Sequence, residues 1–393
     1  MFFIMRIAVS IAALWWYAPV FGTPLIALRE ANNCGACHKP GRAQKPVLFR
    51  RCTLDCQGCH IDPAGGGPRS QWGYYYTHST ASSLKFFDPI DPLQDTSRID
   101  LHYDGRVIQR KTSSSTRTFP MNSEFSVRVR PLVEYLHFTY QNSLLGRLDD
   151  ELFRIVKEGD RRFREKYSVM VDQLPLGMYV RGYRGSPMYG LRRSNHSLWI
   201  RERIGLDQFA TTDAYELGGT PNVPFFRVSK MLGDPYVADE FKQKGNTFHG
   251  GLRGVTLGWH LNASSWDSKS NYADIKMKAY GAGANIFSVL LYGERNIRNV
   301  SLNSDVTLNA TPSFIHPSST IDEYTIAYAG LPGFMTGMVY ERYADARATN
   351  YRRSLFIDLH PIPFLQFELW RRFEYGDRNV SDTIAVAHLY ADF

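Results

Sequence analysis

Two stretches carry residue types at a spacing that does chemistry: Cys34-Gly35-Ala36-Cys37-His38 and Cys56-Gln57-Gly58-Cys59-His60. In each, two thiols stand two residues apart and a histidine follows the second directly. Both sulfurs can then add across the vinyl groups of one porphyrin edge, and the imidazole is carried under the ring to the iron. The expectation is two covalent haem c groups, anchored by Cys34, Cys37, Cys56 and Cys59, with His38 and His60 as proximal iron ligands. Between Thr23 and Pro120 there is no methionine, so a potential-raising His/Met pair cannot form inside that stretch. His78 and His102 are the other histidines there and become the expected far-side ligands, with His137 as a competitor.

The same cysteines, read as C-x2-C-x18-C-x2-C, also fit a zinc ribbon. That reading leaves both trailing histidines without a role and sits poorly behind an export signal. Cys52, the one cysteine outside the two motifs, reads as a small buried side chain or a free thiol. No acid–base pair or nucleophilic triad is evident, so any enzyme activity would rest on haem redox chemistry alone. Gly281-Ala282-Gly283 opens no helical pattern and is not a nucleotide loop, and nucleic acid is not an expected partner.

Covalent haem attachment needs a route out of the cytoplasm, and the first residues supply one. Arg6 followed by the apolar run Ile7 to Phe21 reads as a signal peptide over 1–22. A retained membrane anchor is the other reading, since Trp15, Trp16 and Tyr17 suit an interface. Residues 23–83 form the haem segment, too short to bury an adequate core without its macrocycles. Its basic residues Arg42, Arg50 and Arg51 suit haem propionates or plain solvent. Residues 84–121 turn to Asp, Pro, Ser and Thr and read as a linker or plug.

From Asn122 to Phe393 the pattern is period two, punctuated by turns. Ala273, Ile275, Met277 and Ala279 alternate with Asp274, Lys276 and Lys278, one face for lipid and one for water. Leu365, Phe367 and Leu369 alternate with Gln366 and Glu368; Arg371 interrupts the apolar side and is expected at an interface. Mean hydropathy is -0.31 with 14% aromatic residues, and past residue 23 no apolar run is long enough for a spanning helix. The expectation is an all-β, outer-membrane antiparallel β-barrel of about 14 strands, 12 to 16 being compatible with the length. A soluble β-sandwich is the competing reading. Ala385, Ala387, Leu389, Ala391 and Phe393 form a last strand ending on an aromatic residue, which resembles the assembly signal of bacterial outer-membrane barrels. The formal charge of +8 is carried partly by Arg pairs such as Arg192-Arg193 and Arg352-Arg353, which suits a basic lumen.

Cys52 to His60, continued by Gly65-Gly66-Gly67-Pro68-Arg69, resembles the cytochrome segment that opens a group of outer-membrane proteins. Met178 to Arg184, with Tyr189-Gly190-Leu191-Arg192 and Asn195-His196, looks like the porin part of the same group. The layout of the whole chain is similar to the fused cytochrome-porins of iron-oxidising bacteria. That resemblance implies haem lodged in or under a barrel, passing electrons across the outer membrane of a Gram-negative bacterium. The partners would be periplasmic c-type cytochromes, outer-membrane lipid and an external donor or acceptor such as iron. Those proteins carry a single haem motif and this chain carries two, which leaves the donor and the direction of flow open. The alternative expectation is an anion-admitting porin whose haem segment is a plug or redox sensor.

Overall fold

The computed structural model describes residues 83–84, 98–129, 136–145, 163–190, 198–206, 210–220, 223–254, 258–303, 318–331, 333–377 and 379–392. Both Cys-x-x-Cys-His stretches and His78 lie outside them. Alternating sequence becomes strand after strand: β1 (Ile99–Thr112), β2 (Thr116–Val129), β3 (Leu136–Leu145), β4 (Phe163–Leu174), β5 (Met178–Gly185), β6 (Thr212–Gly219), β7 (Pro224–Gly233) and β8 (Lys244–Gly254). The second half continues with β9 (Trp259–Lys269), β10 (Ala273–Ile286), β11 (Val289–Leu302), β12 (Ser319–Leu331), β13 (Phe334–Asp345), β14 (Thr349–Ile362), β15 (Leu365–Tyr375) and β16 (Val380–Asp392). Each strand pairs antiparallel with its sequence neighbours, and β1 pairs with β16 through Tyr103 opposite Ala391, so the sheet closes on itself without an edge.

Sixteen strands is the top of the expected range, and part of the excess comes from a boundary. The barrel opens at Ile99, inside the stretch whose composition suggested a linker over 84–121, so β1 and the start of β2 correct that assignment. Asp100, His102, Asp104 and Arg106 turn toward the lumen while Leu101, Tyr103 and Val107 turn outward. A strand whose inner face is charged and whose far half is polar hides its period in composition.

The connections sort by rim. Those leading from odd to even strands include 146–162, 186–211, 234–243 and 303–318, whereas those from even to odd strands are turns such as 175–177, 287–288, 332–333 and 363–364. The chain enters β1 and leaves β16 at the short-turn rim. In the 287–288 turn Phe287 and Ser288 both have positive φ, the primed hairpin geometry that matches strand twist. Short turns on the periplasmic side and long loops on the outer side are the habit of outer-membrane barrels.

The outer wall is apolar in contact with its surroundings. Leu355, Tyr324 and Leu261 are each more than half exposed, an arrangement that water penalises and lipid does not. Among the described residues no helix is long and apolar enough to cross a membrane; the crossing is made by strands.

Candidate functional site

The longest connection, 186–211, does not stay at its rim. Between β5 and β6 its described residues 189–190 and 198–206 lie against the inner wall, and its short helix α1 (Trp199–Glu202) packs on strands β10 to β15. Gly190, with φ of 60°, presents its amide to Ser264 Oγ of β9 at 2.9 Å. Tyr189 meets the Trp266 ring edge-on at 6.2 Å. The Trp199 amide donates to Glu341 Oε1 of β13 at 2.5 Å, and Glu341 Oε2 accepts from Arg352 Nε of β14 at 2.6 Å. The Arg352 guanidinium then lies over the Trp199 ring, 4.6 Å from its centre. Arg298 of β11 donates to the Ile204 carbonyl. Glu341 and Arg352 are nearly without solvent, so their charges depend on each other and on the loop.

Two apolar clusters seal this contact. Leu198 and Ile200 pack with Leu290, Ala327, Val339, Phe356 and Trp370, while Trp199, Ile204 and Leu206 pack with Ile275, Met277, Ala279, Ile321 and Tyr343. Trp199 is 1% exposed, and truncating such a side chain costs about 3–5 kcal/mol of packing. The partners include the alternation read from Ala273 to Ala279. That reading is corrected in direction: the apolar positions of β10 face the lumen, where the loop covers them, and Lys276 and Lys278 face outward. The loop makes this apolar inner face tolerable by covering it.

Across the barrel the inner wall is ionic. Glu124 accepts from Ser143 and Lys166, Arg110 and Arg372 share Asp382, and Arg128 pairs with Asp100. Glu216 gathers Tyr179 OH at 2.7 Å, Arg181 Nε at 2.9 Å and Ser229 Oγ at 2.8 Å. Tyr179 reaches it by lying over Gly218, where any Cβ would stand 2.4 Å from the ring. Arg110 keeps about half of its side chain exposed and Lys166 and Arg106 about a fifth. Solvent therefore reaches charge at these three positions, while Arg128, Arg181 and Glu216 of the same wall are buried.

The short-turn mouth gathers histidines. His388 lies between Asp104 Oδ2 at 2.8 Å and Gln366 Oε1 at 2.9 Å, and His360 between Tyr390 OH at 3.2 Å and Asp358 Oδ1 at 3.0 Å. His102, an expected far-side iron ligand, belongs to this wall and is 3% exposed. His137 is on β3, its Nε2 3.9 Å from Asp172. Among the described residues no group of three or more His, Cys, Asp or Glu is set to hold a metal ion. The last residue of the expected haem segment and the first of the expected linker also come here: the Ser83 amide donates to the His360 carbonyl at 3.0 Å and the Leu84 amide to the Pro361 carbonyl at 2.9 Å. Cys34, Cys37, His38, Cys56, Cys59, His60 and His78 fall outside the described residues.

The inserted loop and its Glu341–Arg352 anchor were not expected from sequence. The available signal was Leu198-Trp199-Ile200, an apolar run inside the longest break between strands, together with inner-face apolar residues that no lipid would need.

No protein-family model and no curated relative matches the chain, but its fold is shared by solved outer-membrane proteins. A loop L8 deletion mutant of OmpT from Vibrio cholerae superposes with a TM-score of 0.56 at 12% identity, covering 76% of this chain and all of that one. OmpF of Salmonella typhi, in complex with daunomycin, superposes with a TM-score of 0.51 at 10% identity, covering 75% and 97%. At such identity the likeness is one of fold: a closed, porin-like barrel of the Gram-negative outer membrane.

Proposed function

We propose that this chain is a porin-type passage in the outer membrane, narrowed by the 186–211 loop, whose periplasmic mouth receives a haem-bearing amino-terminal segment as plug or redox sensor. The observation that carries the reading is the loop fastened to one wall of the lumen, facing an inner wall of paired charges on which Arg110 keeps half of its side chain exposed. Small anions and other small polar solutes are the expected cargo, met by Arg106, Arg110 and Lys166.

A second reading is favoured by a separate observation, the two Cys-x-x-Cys-His stretches: electron transfer across the outer membrane. Haem, when bound, supplies one-electron chemistry. Cys34, Cys37, Cys56 and Cys59 would anchor it, and His38 and His60 would hold iron, with His78 and His102 on the far sides. Its fit to this barrel is supported by the Ser83 and Leu84 bonds to β14, which set the end of that segment against the mouth. There the barrel insulates, and the mouth orients the segment toward periplasmic c-type cytochromes.

One preparation tests both. The full chain, matured in a host that attaches haem, is reconstituted into liposomes loaded with a reducible dye. Passage predicts anion efflux that exceeds that of empty liposomes; conduction predicts bleaching of the enclosed dye by a reductant kept outside. Efflux without bleaching removes the second reading, and bleaching without efflux removes the first. A haem-stained gel of the membrane fraction, with intact mass, reports whether two groups are attached.

A further inference from the structure

The outside of the barrel carries cations at positions that otherwise face lipid. Lys278 of β10, Arg295 of β11, Arg342 of β13, Arg353 of β14 and Arg371 of β15 all point outward. Their register makes them level. Lys278 pairs with Ile297, two residues above Arg295, and Arg295, Asp322, Arg342 and Tyr351 lie on one row across the ladder. Arg353 stands two residues below Tyr351 on β14, and Arg371 is on the row of Leu355, two lower again.

Rows climb as strand number rises because barrel strands tilt. The row that starts at Leu291, beside the 287–288 turn, passes Ile326, Met338, Leu355, Arg371 and Thr383 and ends at Lys111, next to the opposite rim. The downward steps of the cations offset that climb. They form a belt around one side of the barrel.

Toward the short turns the outward positions next to the belt are apolar, for example Leu355, Ile357 and Leu359 under Arg353 and Leu369 and Phe367 under Arg371. Toward the long loops they become polar, as with Asn299, Ser301 and Thr349. Acid does not balance the belt. Asp322 is shared by Arg295 at 2.6 Å and Arg342 at 3.1 Å. Arg371 bonds the Thr383 and Ser381 hydroxyls, and among the described residues Arg353 forms no ion pair. Guanidiniums at the upper edge of an apolar wall stand where acyl chains end and headgroups begin, with planar forks that suit phosphate.

Given the outer-membrane reading of the barrel, the geometry points to a binding belt for the phosphate groups of an outer-leaflet glycolipid, held by Arg342, Arg353 and Arg371 with Lys278 and Arg295 alongside. The test uses the detergent-solubilised full chain, incubated with diphosphoryl lipid A or with the same lipid after phosphate removal, and native mass spectrometry to count lipids per barrel. The intact lipid should be retained roughly tenfold better than the dephosphorylated one, the order expected from charge-assisted hydrogen bonds. The combined Arg342→Gln, Arg353→Gln and Arg371→Gln variant should lose that preference while still migrating as a folded band in unheated gels. If the combined variant does not fold, Arg353→Gln alone should lower retention several-fold, since it breaks no ion pair among the described residues. Equal retention of both lipids, full retention by the folded variant, or equal thermal protection by inorganic phosphate without lipid each overturns the belt. Failure to enter vesicles of any composition instead overturns the barrel reading on which the belt rests.

Discussion

On β10 to β14 the inward positions include Ile275, Met277, Leu290, Ile321, Val339 and Phe356, whereas on β1 to β7 they include His102, Asp104, Glu124, Arg128, Arg181, Glu216 and Ser229. Both sets belong to the same closed sheet and both alternate with outward residues. What separates them is the 186–211 loop, whose apolar residues pack on the first wall, while the second is buried through its own ion pairs and hydrogen bonds. An inner barrel surface stays polar where its groups satisfy one another and becomes ordinary apolar core where an apolar segment of the chain covers it. The buried charge pair Glu341 with Arg352 on the covered wall is also the one that receives the loop amide.

The contrast is broken most severely by Glu341→Ala. It takes from Arg352 its hydrogen-bonded carboxylate and removes the acceptor of the Trp199 amide, at a cost of about 3–5 kcal/mol for breaking a buried pair from one side. Thermal unfolding in detergent should shift down, and planar-bilayer recordings should show larger and noisier conductance. Glu216→Ala on the ionic wall removes the carboxylate that Arg181, Tyr179 and Ser229 share and should also lower the unfolding temperature, yet leave conductance near that of the parent. If both variants open the channel equally, the loop is not what the covered wall holds.

Trp199→Ala comes next, with about 3–5 kcal/mol of loop anchoring lost. Its expected signature is increased conductance with little change in barrel heat-modifiability, because no strand pairing involves Trp199. An unchanged conductance would show that the passage runs elsewhere.

The corrected face of β10 gives the smaller pair of effects. Met277→Ala removes a lumen-facing member of the apolar cluster and should cost about 2–5 kcal/mol. Lys276→Ala, one residue away and facing outward, should change stability by no more than about 0.5 kcal/mol. Unfolding in denaturant measures both, and a reversal of their order would restore the face assignment first read from the sequence.

Much of the barrel was legible because a closed wall imposes period two on every strand. Leu365, Phe367 and Leu369 do face outward opposite Gln366 and Glu368, and Ala385, Ala387 and Leu389 face outward opposite Val386, His388 and Tyr390. Arg371, which breaks the first series, is exposed and belongs to the cationic belt. β1 was not legible, since Asp100 to Arg110 mix charge and small residues in a way that composition assigns to a linker. Neither was the inserted loop, because no local pattern encodes contact between Trp199 and Glu341, 142 positions apart.

By itself the sequence determined that the chain alternates, that strands rather than helices cross the membrane, and that two Cys-x-x-Cys-His sites stand ahead of the wall, because each of these is a matter of local spacing. Alternation names two faces without saying which is inside. That choice belonged to tertiary structure: closure of the sheet created a lumen, and the 186–211 loop filled one side of it, so burial turned the apolar face of β10 inward and left its lysines outside.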